Sequence, residues 1–257
     1  MDRRGFLRLG AASAVVAVLP AGCTSGPDLP PILSVPGPSA AFADGTRIEA
    51  RPDAHALVFL EPGGERRVGR LGTAPGQLNY PIGVVVQDEL AYVVEMGNHR
   101  VQVFDRAGAS VRLIGTGELA YPAGIATTAA GELLVSDSGN GRLVAFMPGG
   151  AITRTLGGGR LSSPRGLAVL GGNVLVADVG LRRVVELDPH AHVERTFGEG
   201  WVLPWSVATD GERVFVGDVA TSELAVFDRR GVRQAPLVLD QAPRFVALGA
   251  DGALYVS

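Results

Sequence analysis

Lysine is absent from the 257 residues, so all 23 basic side chains are arginine. The codon usage of a GC-rich genome accounts for this more readily than selection for forked anion contacts does. Cysteine occurs once, at Cys23, which excludes an intrachain disulfide, a zinc ribbon and a CxxCH haem attachment. Histidine occurs four times, at His55, His99, His190 and His192. Signatures of catalysis are missing: there is no G-x-S-x-G elbow, no H-E-x-x-H helix and no Gly-rich loop opening a helix. Excess positive charge is missing too. The formal charge is -3, and it becomes -5 without residues 1–22, where Arg3, Arg4 and Arg8 outnumber Asp2. A mildly acidic chain is a poor match to a phosphate backbone, so nucleic acid is not an expected partner.

Turn-formers are abundant, with 36 glycines and 17 prolines, beside 46% hydrophobic residues. That composition suits an all-β repeat protein. The segment "VSDSGNGRLVAF" (135–146) alternates apolar and other residues on either side of a polar turn, which is the pattern of a β-hairpin. Gly139 and Asn140 tolerate the turn's backbone, and Asp137 can accept nearby N–H groups and pair with Arg142 across the hairpin. Variants recur as "VVEMGNHRVQVFD" (93–105), "VADVGLRRVVELD" (176–188) and "VGDVATSELAVFD" (216–228). Each follows a proline and a short apolar run, and Pro81, Pro122, Pro164, Pro204 and Pro243 lie 41, 42, 40 and 39 residues apart. A fixed period in this range, with Gly-rich turns and no helical periodicity, predicts the blades of a β-propeller.

On the residues "EMGNHRVQVFDRAG" and "SDSGNGRLVAF" the chain resembles the NHL-repeat β-propellers over about residues 36–257. The Gly-His and Trp-Asp pair of WD-repeat blades is not found. The resemblance implies an all-β propeller of four-stranded blades and says little about activity, since such propellers include scaffolds, sensors and a few lyases. Pro81 to Leu239 gives four complete blades. A fifth lies upstream, where Asp44, His55 and Gly64 align with Asp88, His99 and Gly108 at an offset of 44. "PRFVALGADGALYVS" is half of another. Six blades with an incomplete last one are expected, as is usual in the family, the segment "PPILSV" completing the sixth. The alternative is five, with a hybrid of the C-terminal half-blade and "ALVFLEPGGERRVGRL".

The N-terminus carries an address. Residues 1–22 combine "RRGFLR", which resembles a twin-arginine export signal, with an apolar run too short to span a bilayer and the ending "LPAGC", which resembles a lipoprotein cleavage box. Pro20 stands at the third position before the cysteine, where an aliphatic residue is usual. Cys23 then becomes the lipidated first residue, residues 23–35 a Pro-rich tether, and 36–257 the propeller. The expectation is an exported monomer anchored to the outer face of a bacterial membrane.

In a propeller, the innermost strands begin on the face to which the turns after the second strands return. One residue per blade therefore rims the channel mouth. After each proline stand Ile82, Ala123, Arg165, Trp205 and Arg244, and before the first two stand Tyr80 and Tyr121. Glu95, Asp137, Asp178 and Asp218 end the second strands on the same face. They recur with their Gly, Asn and Arg companions, so they read as hairpin structure rather than as a calcium site. Arg165, Trp205 and Arg244 depart from the small or apolar residues of the other blades. With Tyr80 and Tyr121 they form the candidate ligand site, suited to an anionic or aromatic small molecule or to a protein partner. No catalytic residue, cofactor or metal is assigned. His190 and His192 fall on an outer turn without a third ligand, and no histidine lies on a first strand, where the amidating-lyase relatives gather theirs around a metal. A binding scaffold is the first reading, and a metal-dependent lyase or hydrolase is the second.

Overall fold

The computed structural model describes residues 32–34, 37–198, 200–201, 203–249 and 252–257. Cys23, the expected export signal and most of the expected tether lie outside them. Five antiparallel four-stranded sheets follow one another along the chain, spanning 39–68, 81–114, 122–156, 164–197 and 204–238. These are the five complete blades. A further three-stranded sheet joins the two ends of the described chain: Val246–Leu248 pairs antiparallel with Leu254–Val256, which pairs in parallel with Ile32–Ser34. Part of the "PPILSV" segment thus sits in the incomplete last sheet. The segment "ALVFLE" stays within the first blade, paired with Arg47–Arg51.

The blades are held together between their faces. Five clusters of buried apolar side chains each span two successive sheets. In one of them Val94 and Val101 of the second blade meet Ile125, Val135 and Phe146 of the third. The other four join the first blade to the second, the third to the fourth, the fourth to the fifth, and the fifth to the end sheet. Middle strands are consequently buried on both faces. Leu133–Asp137 and Arg100–Phe104 are buried along their whole length, whereas the outermost Ile152–Leu156 is exposed except at Leu156. Removing this apolar area from water is the main stabilising contribution.

The second hairpin of the first four blades turns through a left-handed residue at one repeat position, occupied by His55, His99, Gly141 and Arg182 with φ between 50° and 59°. Among the described residues, no helix is long and apolar enough to cross a membrane.

Candidate functional site

Six innermost strands surround one central channel of about 720 Å³, five from the complete blades and one from the end sheet. They pack so closely that the residue two places after the repeat proline has almost no room. A Cβ on Gly124 would stand 2.1 Å from the Arg165 carbonyl oxygen, and one on Gly166 would stand 2.6 Å from Ser206 Cα. This crowding explains the recurrent Pro-x-Gly at the start of the strands. It also directs the preceding residue of each strand to the channel mouth.

The hairpin acids lie close by and are enclosed. Glu95, Asp137 and Asp178 are 0% exposed and Asp218 2%. Glu95 Oε2 accepts from the Asn79 backbone N–H (2.9 Å) and Asn98 Nδ2 (2.6 Å), and Oε1 accepts from Arg100 Nε (2.6 Å) and Gln102 Nε2 (3.0 Å). Asp137 accepts from Ala120 N–H, Asn140 Nδ2 and Arg142 Nε at 2.7, 2.9 and 2.7 Å. Asp178 takes the N–H groups of Ser162, Ser163 and Leu181, and Asp218 those of Leu203 and Ala220. Each acid therefore ties its hairpin to the loop that enters the same blade's inner strand. Those loop bonds are absent from the hairpin pattern alone. In the first blade the position is Arg51, which pairs instead with the buried Glu49 at 2.7 Å.

The mouth is different. Arg165 and Arg244 both approach Trp205, with their guanidinium carbons 4.5 and 5.6 Å from the centre of its ring. Arg244 Nη2 donates to the Tyr80 hydroxyl at 2.7 Å, joining the end sheet to the second blade across the first. Arg165 Nη1 reaches Met96 Sδ at 3.9 Å, and its Nε is buried without a hydrogen-bond partner. Among the described residues neither arginine has a carboxylate partner, although four buried acids sit nearby. Burial pulls the Arg165 guanidinium below its usual range; Tyr80 opposes the shift and the like charge of Arg244 adds to it. Four of the five candidate side chains, Tyr80, Arg165, Trp205 and Arg244, thus form one group. The fifth, Tyr121, does not join it. Tyr121 is 58% exposed and its ring stands edge-on to His99 at 4.4 Å.

Ser206, Arg47 and Tyr255 also line the channel and were not singled out by sequence reasoning. Ser206 did carry a signal, since it occupies the repeat's glycine position in "LPWSVAT". Arg47 and Tyr255 carried none: they lie in second strands and meet only through the fold, with the Arg47 guanidinium 5.2 Å from the Tyr255 ring centre. That contact joins the first blade to the end sheet. Among the described residues no carboxylate or imidazole lines the channel. Among the described residues no group of three or more His, Cys, Asp or Glu side chains is placed to hold a metal ion. His190 and His192 sit at an outer turn, where both of their backbone N–H groups bond to Asp188 Oδ1 at 2.9 and 2.7 Å.

The NHL repeat family model matches residues 78–104 and 119–146, the second and third blades. The chain is a β-propeller with NHL repeats. No curated protein matches the sequence. Among solved structures, the chain superimposes on one chain of a nidogen/laminin complex at a TM-score of 0.68 and 18% identity, covering 87% of this chain and 82% of that one. It also resembles a catalytically inactive virginiamycin B lyase from Staphylococcus aureus with quinupristin, at a TM-score of 0.67, 13% identity and coverage of 82% and 73%. A streptogramin B lyase gives 0.62, 10%, 86% and 89%. At these identities the likeness is one of fold.

Proposed function

We propose that this NHL propeller is a binding scaffold, exported and held at a bacterial membrane by a lipid on Cys23, and that it takes an anionic ligand or partner group at its channel mouth. The observation that supports this is the pair Arg165 and Arg244, half-buried and converging on one indole with no carboxylate to neutralise them. Like charges held together in a partly dry site repel, and an incoming anion relieves that repulsion while making charge-assisted hydrogen bonds. Trp205 reports on the event, with the buried Trp201 as a constant background.

Titration of the purified protein with a small carboxylate should change the Trp205 fluorescence, and the affinity should fall as salt rises. No change, or binding indifferent to salt, would overturn the anion reading. The address is tested separately: Cys23→Ala should leave the protein out of the membrane fraction, and normal retention of that variant would remove the lipid anchor. A metal-dependent lyase or hydrolase would need metal donors that are not found among the described residues of the channel wall. A stoichiometric calcium or zinc signal in the purified protein would restore that alternative.

A further inference from the structure

The channel differs from its mouth in chemistry, and the difference specifies a ligand. Below the mouth the wall presents apolar side chains such as Val85, Val169, Ala247 and Leu248 beside the backbone edges of the inner strands. The volume of about 720 Å³ falls within the roughly 300–1,000 Å³ typical of small-molecule sites. Positive charge is unevenly available along it. Arg47 gives Nη2 to Glu49 at 2.8 Å and lies over Tyr255, so its charge is already matched. Arg165 has no such partner, and its buried Nε is unbonded.

Ser206 adds a second, independent observation. The equivalent residue is Gly83, Gly124 or Gly166 in three other blades, where the neighbouring inner strand leaves little space for a side chain. The fifth blade has a hydroxyl there instead. It lines the channel at 6% exposure, its hydroxyl lies over Gly217, and among the described residues it has no hydrogen-bond partner. The hydroxyls of Ser136 and Ser138, by contrast, are used up on the carbonyl oxygens of Arg165 and Pro164. An unbonded buried hydroxyl is costly unless a bound group satisfies it. Its backbone lies against Gly166, the residue next to Arg165, so both orphaned groups serve one end of the channel.

We infer that the channel takes an amphiphilic monocarboxylate, its head at Arg165, Arg244 and Ser206 and its unbranched apolar body along the bore. The inference rests on the mouth being an anion site. The head satisfies the buried guanidinium and hydroxyl, and the body covers the apolar part of the wall.

The test is a series of saturated carboxylates, acetate, hexanoate and decanoate, with decanol as the neutral control. Each is titrated below its micelle concentration and followed by tryptophan fluorescence and calorimetry. Affinity should rise about three- to fourfold per added methylene until the bore is filled, with decanol far weaker than decanoate. Equal binding of acetate and decanoate would leave the mouth as an anion site and overturn the channel inference. Equal binding of decanol and decanoate would overturn the anion reading, and no binding by any member would overturn both. Ala247→Phe, further along the bore, should abolish the dependence on chain length and keep acetate binding, and an unchanged dependence would place the apolar body outside the bore. Ser206→Gly restores the repeat's own residue, so folding is preserved, and it should weaken decanoate severalfold. An unchanged affinity would remove Ser206 from the site.

Discussion

The ring of hairpin acids and the channel mouth are built by the same rule, one side chain per blade on one face of the disc, and they have opposite electrostatics. Glu95, Asp137, Asp178 and Asp218 are sealed from water and saturated with donors. Arg165 and Arg244 are half-buried, adjacent and without carboxylate partners. The acids recur in four successive blades because each of those blades has the same loop to fasten. The arginines occur only in the fourth blade and the end sheet, where nothing in the repeat requires them. Regularity in a repeat protein therefore reports what each unit needs to stand beside its neighbour. Departure from regularity reports what the assembled ring does.

The largest effect should come from the acids. Glu95→Ala leaves four donors without their acceptor, two of them on Arg100 and Gln102, which are themselves buried. Stranding a buried guanidinium and its neighbours should cost about 3 kcal/mol or more. Urea unfolding measures it, through a lower midpoint at unchanged slope. The molecules that remain folded should bind a small carboxylate as the parent does. Loss of binding at full stability would turn the acid ring into a site and erase the contrast.

The mouth should behave in the reverse manner. Arg165→Gln or Arg244→Gln removes one of two repelling charges, so stability should hold or rise slightly. Anion affinity should fall about tenfold, the value of roughly 1.4 kcal/mol for a charge-assisted contact. The remaining salt dependence should be shallower. A variant that unfolds like Glu95→Ala would show that the arginines, too, are structural.

How far these two regions were legible in the sequence differs for a physical reason. The fold was readable because the proline period and the alternating strands are local signals repeated many times. The carboxylate of Asp137 and the guanidinium of Arg142 were paired from their register alone, since a hairpin brings Asp137 opposite Arg142 whatever the rest of the chain does. The loop donors Asn79, Ala120 and Leu203 were not foreseen, because those bonds depend on where the preceding blade delivers the chain. The mouth was legible as a departure from the repeat, yet its geometry was not. The departure marked Trp205 as a site residue, but only the fold shows that the two guanidinium groups lie over its ring. Tyr80 and Tyr121 hold the same repeat position with φ of 54° and 48°, but only Tyr80 is coupled to the mouth.

That last difference gives the smallest and sharpest test. His55 Nδ1 accepts the Tyr80 backbone N–H at 3.1 Å, and His99 Nδ1 accepts that of Tyr121 at 2.9 Å. Each imidazole thereby fastens the hairpin of one blade to the start of the next, and each helps hold a tyrosine in a left-handed backbone conformation that non-glycine residues rarely adopt. His55→Ala and His99→Ala should therefore cost similar stability, about 1 kcal/mol each for one hydrogen bond. Their effects on binding should not be similar. Tyr80 passes its position on through its hydroxyl to Arg244, whereas the Tyr121 ring rests on His99 at the surface. His55→Ala should loosen Arg244 and weaken carboxylate binding about two- to threefold, and His99→Ala should leave it unchanged. Equal losses of affinity in the two variants would mean that general loosening of the ring, rather than the path from His55 through Tyr80 to Arg244, sets the geometry of the mouth.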